Sequence, residues 1–327
     1  MGLHHNHDEE HGHHEHHHGH DHGHAHGHHH GHSHAVSNYG RAFLIGITLN
    51  LLFVGTEWIF GIMANSLALL ADATHNLGDV FGLALAWGAH VLAQRLPTER
   101  FTYGYRSASI LTALANAIIL LLVAGGLAWE AFHHITAPHP VEGKLVIAVA
   151  IVGVLINGMT AWLFMSGSKN DLNMRGAYLH MLTDAAVSIA VAVTGAVILF
   201  TGWVWLDPLV SLALVALITL GTWGLLRDSL KLALQAVPES IEFKAVHDFL
   251  KNLPGVSEVH DLHIWGMSSS QNALTAHLVF PGGHPGDEVL QNISRDAEKK
   301  FGIHHVTIQI ELGDSTAGCA LAPEHVV

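Results

Sequence analysis

One cysteine, Cys319, occurs in 327 residues, so no internal disulfide can staple the chain. Charge is scarce too. Asp, Glu, Lys and Arg together make up 13% of the residues, and the 14 Lys and Arg form no continuous basic patch. With a formal net charge of −13, this composition argues against nucleic acid as a partner. No HExxH pattern occurs outside the His-rich tract of the first 34 residues, so none of the apolar stretches carries the helix-borne arrangement of zinc-dependent proteases. The N-terminus lacks a basic segment followed by an apolar one and does not read as a signal peptide.

What the chain has in abundance is apolar residues, 50% of the total, giving a mean hydropathy of +0.34. That is membrane composition rather than average globular usage. Six apolar stretches, at about residues 41–63, 66–93, 108–132, 144–166, 174–201 and 205–226, are near or above the ~20 residues that cross a hydrocarbon core. Short polar or Gly/Pro-bearing breaks separate them, and the first (MANS) and fifth (TGW) are so short that they imply tight antiparallel hairpins. Arg41, Arg95, Arg100, Arg106, Lys169, Arg175, Arg227 and Lys231 fall at one set of loop ends, against Lys144 alone at the other. By the positive-inside rule both termini are cytoplasmic.

Histidine is concentrated at the start, with 18 of 32 in the first 34 residues, interleaved with Gly, Asp and Glu. This tract has nothing to build a core from, so it is expected to be disordered while offering many imidazoles to metal. Its irregular spacing is unlike a purification tag. From Pro238 the pattern changes to helix, two strands, helix and strand, an αββαβ order that implies a small cytoplasmic α+β sandwich of the ferredoxin or metallochaperone type. The expected organisation is a tail over 1–38, a six-helix transmembrane domain over 39–227, the αββαβ domain over 228–313 and a flexible tail over 314–327. Residues 228–327 carry 13 Asp and Glu against 6 Lys and Arg, which suits a cation-handling domain and equally a solvated acidic surface.

The sharpest signal lies inside the apolar stretches. His-x-Leu-x-Asp occurs twice, as His75–Asp79 and as His180–Asp184. Residues four apart share one helix face. Two such helices facing each other offer two imidazole nitrogens and two carboxylates, the number that closes a tetrahedral shell around zinc. An ionisable residue deep in a membrane costs at least ~2.5–3.5 kcal/mol and signals function by default. A lone buried histidine is usually a satisfied polar group, but a structural account must here explain four ionisable residues at identical spacing in two spans. Other polar residues at membrane depth are open to two readings. Asp72 shares the face of His75, either as an accessory ligand or as an acceptor orienting the imidazole, with an interhelical hydrogen bond as the alternative. Glu57 has a packing or a proton-path role. For Asn116, Asn157 and Asp207 interhelical hydrogen bonds are the better reading.

These motifs resemble the cation diffusion facilitator family of proton-coupled zinc and related divalent-metal exporters. The likeness runs from about Arg41 to Glu311 and rests on the paired HxxxD, SLALLADATHNLGD, RFTYGYRS, LNMRGAYLHMLTD and VHDLHIW together. It implies a homodimer in the lipid bilayer, of bacterial inner-membrane type, with spans one, two, four and five forming the transport bundle and spans three and six flanking it. It further implies a cytoplasmic metal site at His260, His277, His304 and Glu311, with His263 and Trp265 of the HIW motif structural. In a regular strand His260 and His263 would point to opposite faces. Cys319 lies where family members hold a cysteine pair, but its partner is missing, which leaves its role in doubt. The His-rich segment also departs from the eukaryotic pattern, lying at the N-terminus rather than in the loop SGSKND.

The expected function is therefore proton-coupled export of Zn²⁺, with Co²⁺, Cd²⁺ or Ni²⁺ as competing substrates and Zn²⁺ also in the cytoplasmic domain. A membrane-anchored sensor or store without transport is the alternative. Deleting residues 1–34 is expected to leave flux at saturating zinc nearly intact and to change it only at low zinc, because tethered imidazoles alter local metal concentration. Flux into proteoliposomes across a zinc series checks this; loss of most maximal flux in a folded truncation would make the tract part of the machinery.

Overall fold

The computed structural model describes residues 41–165, 172–313 and 319–322. The expected disordered tail 1–38, the break SGSKND and most of the C-terminal tail lie outside the described residues.

Six long helices come first: α1 (Arg41–Ala64), α2 (Leu67–Ala93), α3 (Ala108–Thr136), α4 (Gly143–Met165), α5 (Leu172–Thr201) and α6 (Leu206–Ala233). Among the described residues four are long and apolar enough to cross a membrane, Ala108–Thr136, Gly143–Met165, Arg175–Thr201 and Leu206–Ala233. Helix α2 is long enough but carries Asp72, His75, Asn76 and Asp79, which dilute its apolar character. Buried side chains of α1, α2, α4 and α5 (Phe53, Leu69, Val146, Val191) form one apolar cluster, joined by Leu214 of α6. A second cluster ties α3 to α6 through Ala124, Val215 and Ile218. The outward faces are apolar as well; Trp162 is 67% and Leu220 77% exposed. Such a surface suits lipid, not water.

Helices α4 and α5 approach closely because small residues face each other. A Cβ on Gly143 would lie 2.8 Å from the backbone oxygen of Gly195, and one on Gly195 would lie 2.9 Å from Val146 Cγ1. This is the small-residue contact that membrane helices use to pack.

The turn before α2 explains Asp207. Asn65 adopts φ 53, and Ser66 then caps α2, its hydroxyl accepting from Leu69 N–H at 3.3 Å. The Asp207 carboxylate, fully buried in the first turn of α6, accepts from Leu67 N–H at 2.7 Å, from Ala68 N–H at 3.4 Å and from the Ser66 hydroxyl. A helix N-terminus presents unpaired N–H groups and partial positive charge, and an anion answers both. Asp207 thus fixes the start of α2 against α6, an interhelical bond as expected. Asn157 differs from that expectation: its side chain is fully buried, and neither polar atom finds a hydrogen-bond partner among the described residues. Asn116 likewise leaves its Oδ1 unpartnered.

The remaining elements are α7 (Phe243–Lys251), β1 (Glu258–Gly266), β2 (Asn272–Val279), α8 (Asp287–Phe301) and β3 (Ile303–Glu311). The sheet order is β1-β2-β3, with β1 antiparallel and β3 parallel to β2. Val246, Leu250, Ile293 and Ala297 of the helices pack on Ile264, Leu274, Ala276 and Leu278 of one sheet face. The other face is left to His260 and His277. Helix α8 begins with Asp287 and Glu288, ends with Lys299 and Lys300, and stops at left-handed Gly302 (φ 67), each choice opposing its dipole or capping its end.

Replacing Asp207 with Ala leaves buried N–H groups unpaired and removes a cap, costing about 2–4 kcal/mol. A clear drop in the thermal unfolding temperature of the purified protein is expected; an unchanged midpoint counts against this anchoring role.

Candidate metal centre

Helices α2 and α5 bring the two His-x-Leu-x-Asp motifs together. His75 Nε2 lies 3.5 Å from Asp184 Oδ1 and 4.0 Å from Asp79 Oδ2. His180 Nε2 lies 3.2 Å from Asp79 Oδ2 and 3.7 Å from Asp184 Oδ2. Donor atoms of His75, Asp79 and Asp184 all fall within 4.8 Å of one another, and the two imidazole rings face edge to plane with centroids 6.2 Å apart. Four ligands around zinc at 2.0–2.2 Å are about 3.3 Å from each other in a tetrahedron. The four histidine–carboxylate spacings, 3.2 to 4.0 Å, run from about that value upward, and His180 reaches both carboxylates while falling outside the set whose donors all lie within 4.8 Å of one another.

Exposure is uneven. The Asp184 side chain is 1% exposed and that of Asp79 41%, so the group is closed on one flank and open on the other. Among the described residues neither Asp184 oxygen accepts a hydrogen bond of normal geometry; the imidazoles are near it but only at ion-pair distance. A buried carboxylate without donors is costly, and a divalent cation is the partner that removes the cost.

Asp72 does not bond to His75. Its Oδ2 accepts from Ser188 Oγ at 3.2 Å and its Oδ1 from Asn76 Nδ2 at 3.4 Å, because it looks along α2 toward Asn76 and across to α5. Asn76 Nδ2 also donates to Glu57 Oε2 at 3.2 Å, tying α1 to α2. All four residues are buried. Asn76 and Ser188 are the members that sequence reasoning missed. Asn76 was visible as the residue four beyond Asp72 on the same face; Ser188 gave no signal.

The sheet domain gathers a second group. Donor atoms of His260, His277, Glu311 and Cys319 lie within 4.8 Å of one another. His277 Nδ1 is 3.0 Å from Glu311 Oε1 and 3.5 Å from Cys319 Sγ, and His260 Nε2 is 3.4 Å from Glu311 Oε1. Both ring nitrogens of His260 are buried and make no hydrogen bond of normal geometry among the described residues. Two imidazoles, a carboxylate and a thiol are a donor set that zinc accepts, and an imidazole without hydrogen bonds fits such an ion. Burial opposes ionisation of Glu311, but the Cys319 thiol and the His260 ring hold its carboxyl below the usual range. A backbone N–H at Leu321 favours the Cys319 thiolate, yet the hydrogen bond with Glu311 and burial push the thiol up.

Two sequence expectations need correction here. His304 is exposed and stands apart from this group. It is seven residues before Glu311 on one strand, about 23 Å away at 3.3 Å per residue, and it sits at an irregularity of its own, where Ile303 pairs with Asn272 and His305 already with Ala273. Cys319 takes the place expected for His304. His260 and His263, moreover, do not point to opposite faces. The pairing runs His260↔His277 and then His263↔Thr275, so β1 holds one extra residue and the bulge turns His263 to the side of His260.

A bundle of long apolar helices with two histidines and two aspartates gathered between two of them is the architecture of a membrane protein suited to a cation. Comparison with known proteins agrees. Residues 43–232 match the cation efflux transmembrane domain, and residues 238–312 match the cytoplasmic domain of cation efflux proteins. The metal cation efflux system protein CzcD of Cupriavidus metallidurans is 36% identical over 273 residues, covering 83% of this chain and 86% of that protein. The cadmium, cobalt and zinc/H(+)-K(+) antiporter of Bacillus subtilis is 35% identical over 260 residues (78% and 83%), and the zinc transporter ZitB of Escherichia coli 34% over 276 residues (84% and 88%). The chain belongs to the cation diffusion facilitator family of metal transporters and is not an enzyme.

His304→Ala is expected to leave metal binding by the sheet domain unchanged, and His277→Ala to weaken it at least ~10-fold, the lower end for disturbing a site's supporting groups. Metal titration of the full-length variants decides between them; a loss with His304→Ala would restore that residue to the site.

Proposed function

We propose that this protein exports Zn²⁺ from the cytoplasm in exchange for protons, by alternating access around His75, Asp79, His180 and Asp184. The single observation that carries this reading is the group of His75, Asp79 and Asp184 between α2 and α5, with His180 within 3.7 Å of both carboxylates and Asp184 buried without a hydrogen bond among the described residues. Mixed nitrogen and oxygen donors suit zinc, with Co²⁺, Cd²⁺ and Ni²⁺ as competitors that affinity alone separates poorly. The relatives named for zinc, cobalt and cadmium support that substrate range.

The cycle follows from ligand chemistry. Metal binds deprotonated carboxylate and neutral imidazole, so loading from the cytoplasm releases protons. On the far side, protonation of the histidines weakens the site and ejects the metal. The open flank at Asp79 and His180 is the route by which the ion reaches the buried Asp184. All six helices are taken to cross the bilayer of a bacterial inner membrane, with both termini cytoplasmic. Arg106 Nη1 donates to Gln271 of the sheet domain at 2.7 Å, which supports one side for the arginine-rich loop and that domain. The match to a family domain described as cytoplasmic supports the same side, and pairing with a second copy of the chain completes the assembly. Zn²⁺ bound by His260, His277, Glu311 and Cys319 is assigned a structural or regulatory role.

Asp79→Ala and Asp184→Ala are each expected to abolish zinc flux into proteoliposomes under a proton gradient while leaving a folded protein. Wild-type flux in either variant would sink the site. His75→Asp or His180→Asp makes the donors harder and is expected to raise transport of the harder ion Mn²⁺ relative to Zn²⁺. An unchanged preference in both variants removes these histidines from the basis of selectivity.

A further inference from the structure

One carboxylate beside the sheet-domain metal group is used by none of these roles. Asp261 occupies the bulge in β1 and has a left-handed backbone, φ 49. That conformation is unfavourable for most residues but tolerated by aspartate, and such strain concentrates where a side chain must be aimed. Here it turns the carboxylate back under the sheet face. Asp261 Oδ2 lies 3.3 Å from His277 Nε2, and Oδ1 lies 2.9 Å from His263 Nε2. The Asp261 side chain is 13% exposed and that of His277 10%. The opposite edge of the same His277 ring, Nδ1, is the one that faces Glu311 and Cys319.

An imidazole ligates a metal through one nitrogen while the other carries its hydrogen, and the acceptor of that hydrogen fixes the tautomer and the ring plane. We propose that Asp261 is a positioning residue of the cytoplasmic metal site. It accepts the Nε2–H of His277 and so commits Nδ1 to the ion. His263 donates to the second oxygen of Asp261 and keeps that carboxylate in place, which gives the first histidine of the HIW motif a defined task. The bulge is what makes the relay possible: without the extra residue, His263 would face the apolar core with Leu262 and Ile264 displaced from it. The inference rests on the reading of His260, His277, Glu311 and Cys319 as metal ligands.

A single cysteine in the chain supplies a selective probe. Thiolate-to-Co²⁺ charge transfer can arise only at Cys319, so its band in full-length protein reports this site despite the His-rich tract and the transport site. Co²⁺ titration of detergent-solubilised wild type, Asp261→Gly, Asp261→Asn and His277→Ala gives the test. Glycine accepts the left-handed backbone and removes only the carboxylate, so the thermal unfolding midpoint should hold while the band's half-saturation moves to 10–100-fold higher Co²⁺. Asparagine keeps the shape and one acceptor oxygen and should shift it the same way by a smaller factor, a partial rescue that a merely structural role does not predict. Half-saturation within twofold of wild type for both Asp261 variants, alongside loss in His277→Ala, overturns the positioning role and leaves the site standing. If Asp261→Gly does not fold, the asparagine variant decides by the same criterion. No band in wild type, or one indifferent to His277→Ala, overturns the metal-site reading itself and this inference with it.

Discussion

The Asp184 carboxylate, buried in the bundle with no hydrogen bond of normal geometry among the described residues, is the constraint around which the helices are arranged. An anion in that position is tolerable only if cationic partners reach it from fixed directions. His75 and His180 approach its two oxygens separately, and that geometry survives only if α2 and α5 keep their axial register. A shift of one residue along either helix is 1.5 Å and a turn of about 100°, enough to carry a ligand out of reach. The polar residues elsewhere in the bundle hold that register. Asp207 fastens the start of α2 to α6, Asn76 links α2 to α1, and Ser188 of α5 donates to Asp72 of α2.

The same logic joins the bundle to the sheet domain. Besides the bond from Arg106 to Gln271, Ser107 Oγ donates to the Met267 carbonyl at 3.2 Å, and Ser269 N–H donates to Ser109 Oγ at 3.0 Å. These three bonds connect the residues that start α3 with the turn between β1 and β2. That turn continues the strands that carry His260, Asp261 and His277. The strands are therefore joined by direct hydrogen bonds to the start of α3, which packs on α2 and α6.

Periodicity made much of this visible in the amino-acid sequence. A spacing of four inside an apolar helix can mean only one face, so His75 with Asp79 and His180 with Asp184 were legible as pairs. Their meeting across α2 and α5 could be argued from matching chemistry. Helix and strand order were legible for the same reason, since hydrophobic period separates the two. What period two could not show is an interruption of itself. The bulge at Asp261 adds one residue to β1, reverses the facing of everything beyond it, and leaves no trace in the alternation of VHDLHIW. His304 lies at a second such interruption, between Ile303 and His305 of β3, so its facing was no more legible from the alternation than that of His263. Cys319 is near His277 only through the path of the chain after β3, which no local pattern encodes.

The two groups differ in donor chemistry in a way that fits different tasks. The proposed transport group has only nitrogen and oxygen donors, is open on one flank and has at its centre a carboxylate that gains from a cation. Conduction through a site requires binding strong enough to load and weak enough to release. In the proposed cycle that balance comes from histidine, whose ring nitrogen takes either a proton or the metal. The sheet-domain group adds a thiol, a softer donor that raises affinity for zinc and its competitors. It also has a backing carboxylate that stiffens one of its imidazoles. Both additions slow release, which would defeat a transport site and serves a site meant to stay filled. On the proposed assignments, sulfur on the sheet and none between the helices divides the two tasks between the two donor sets.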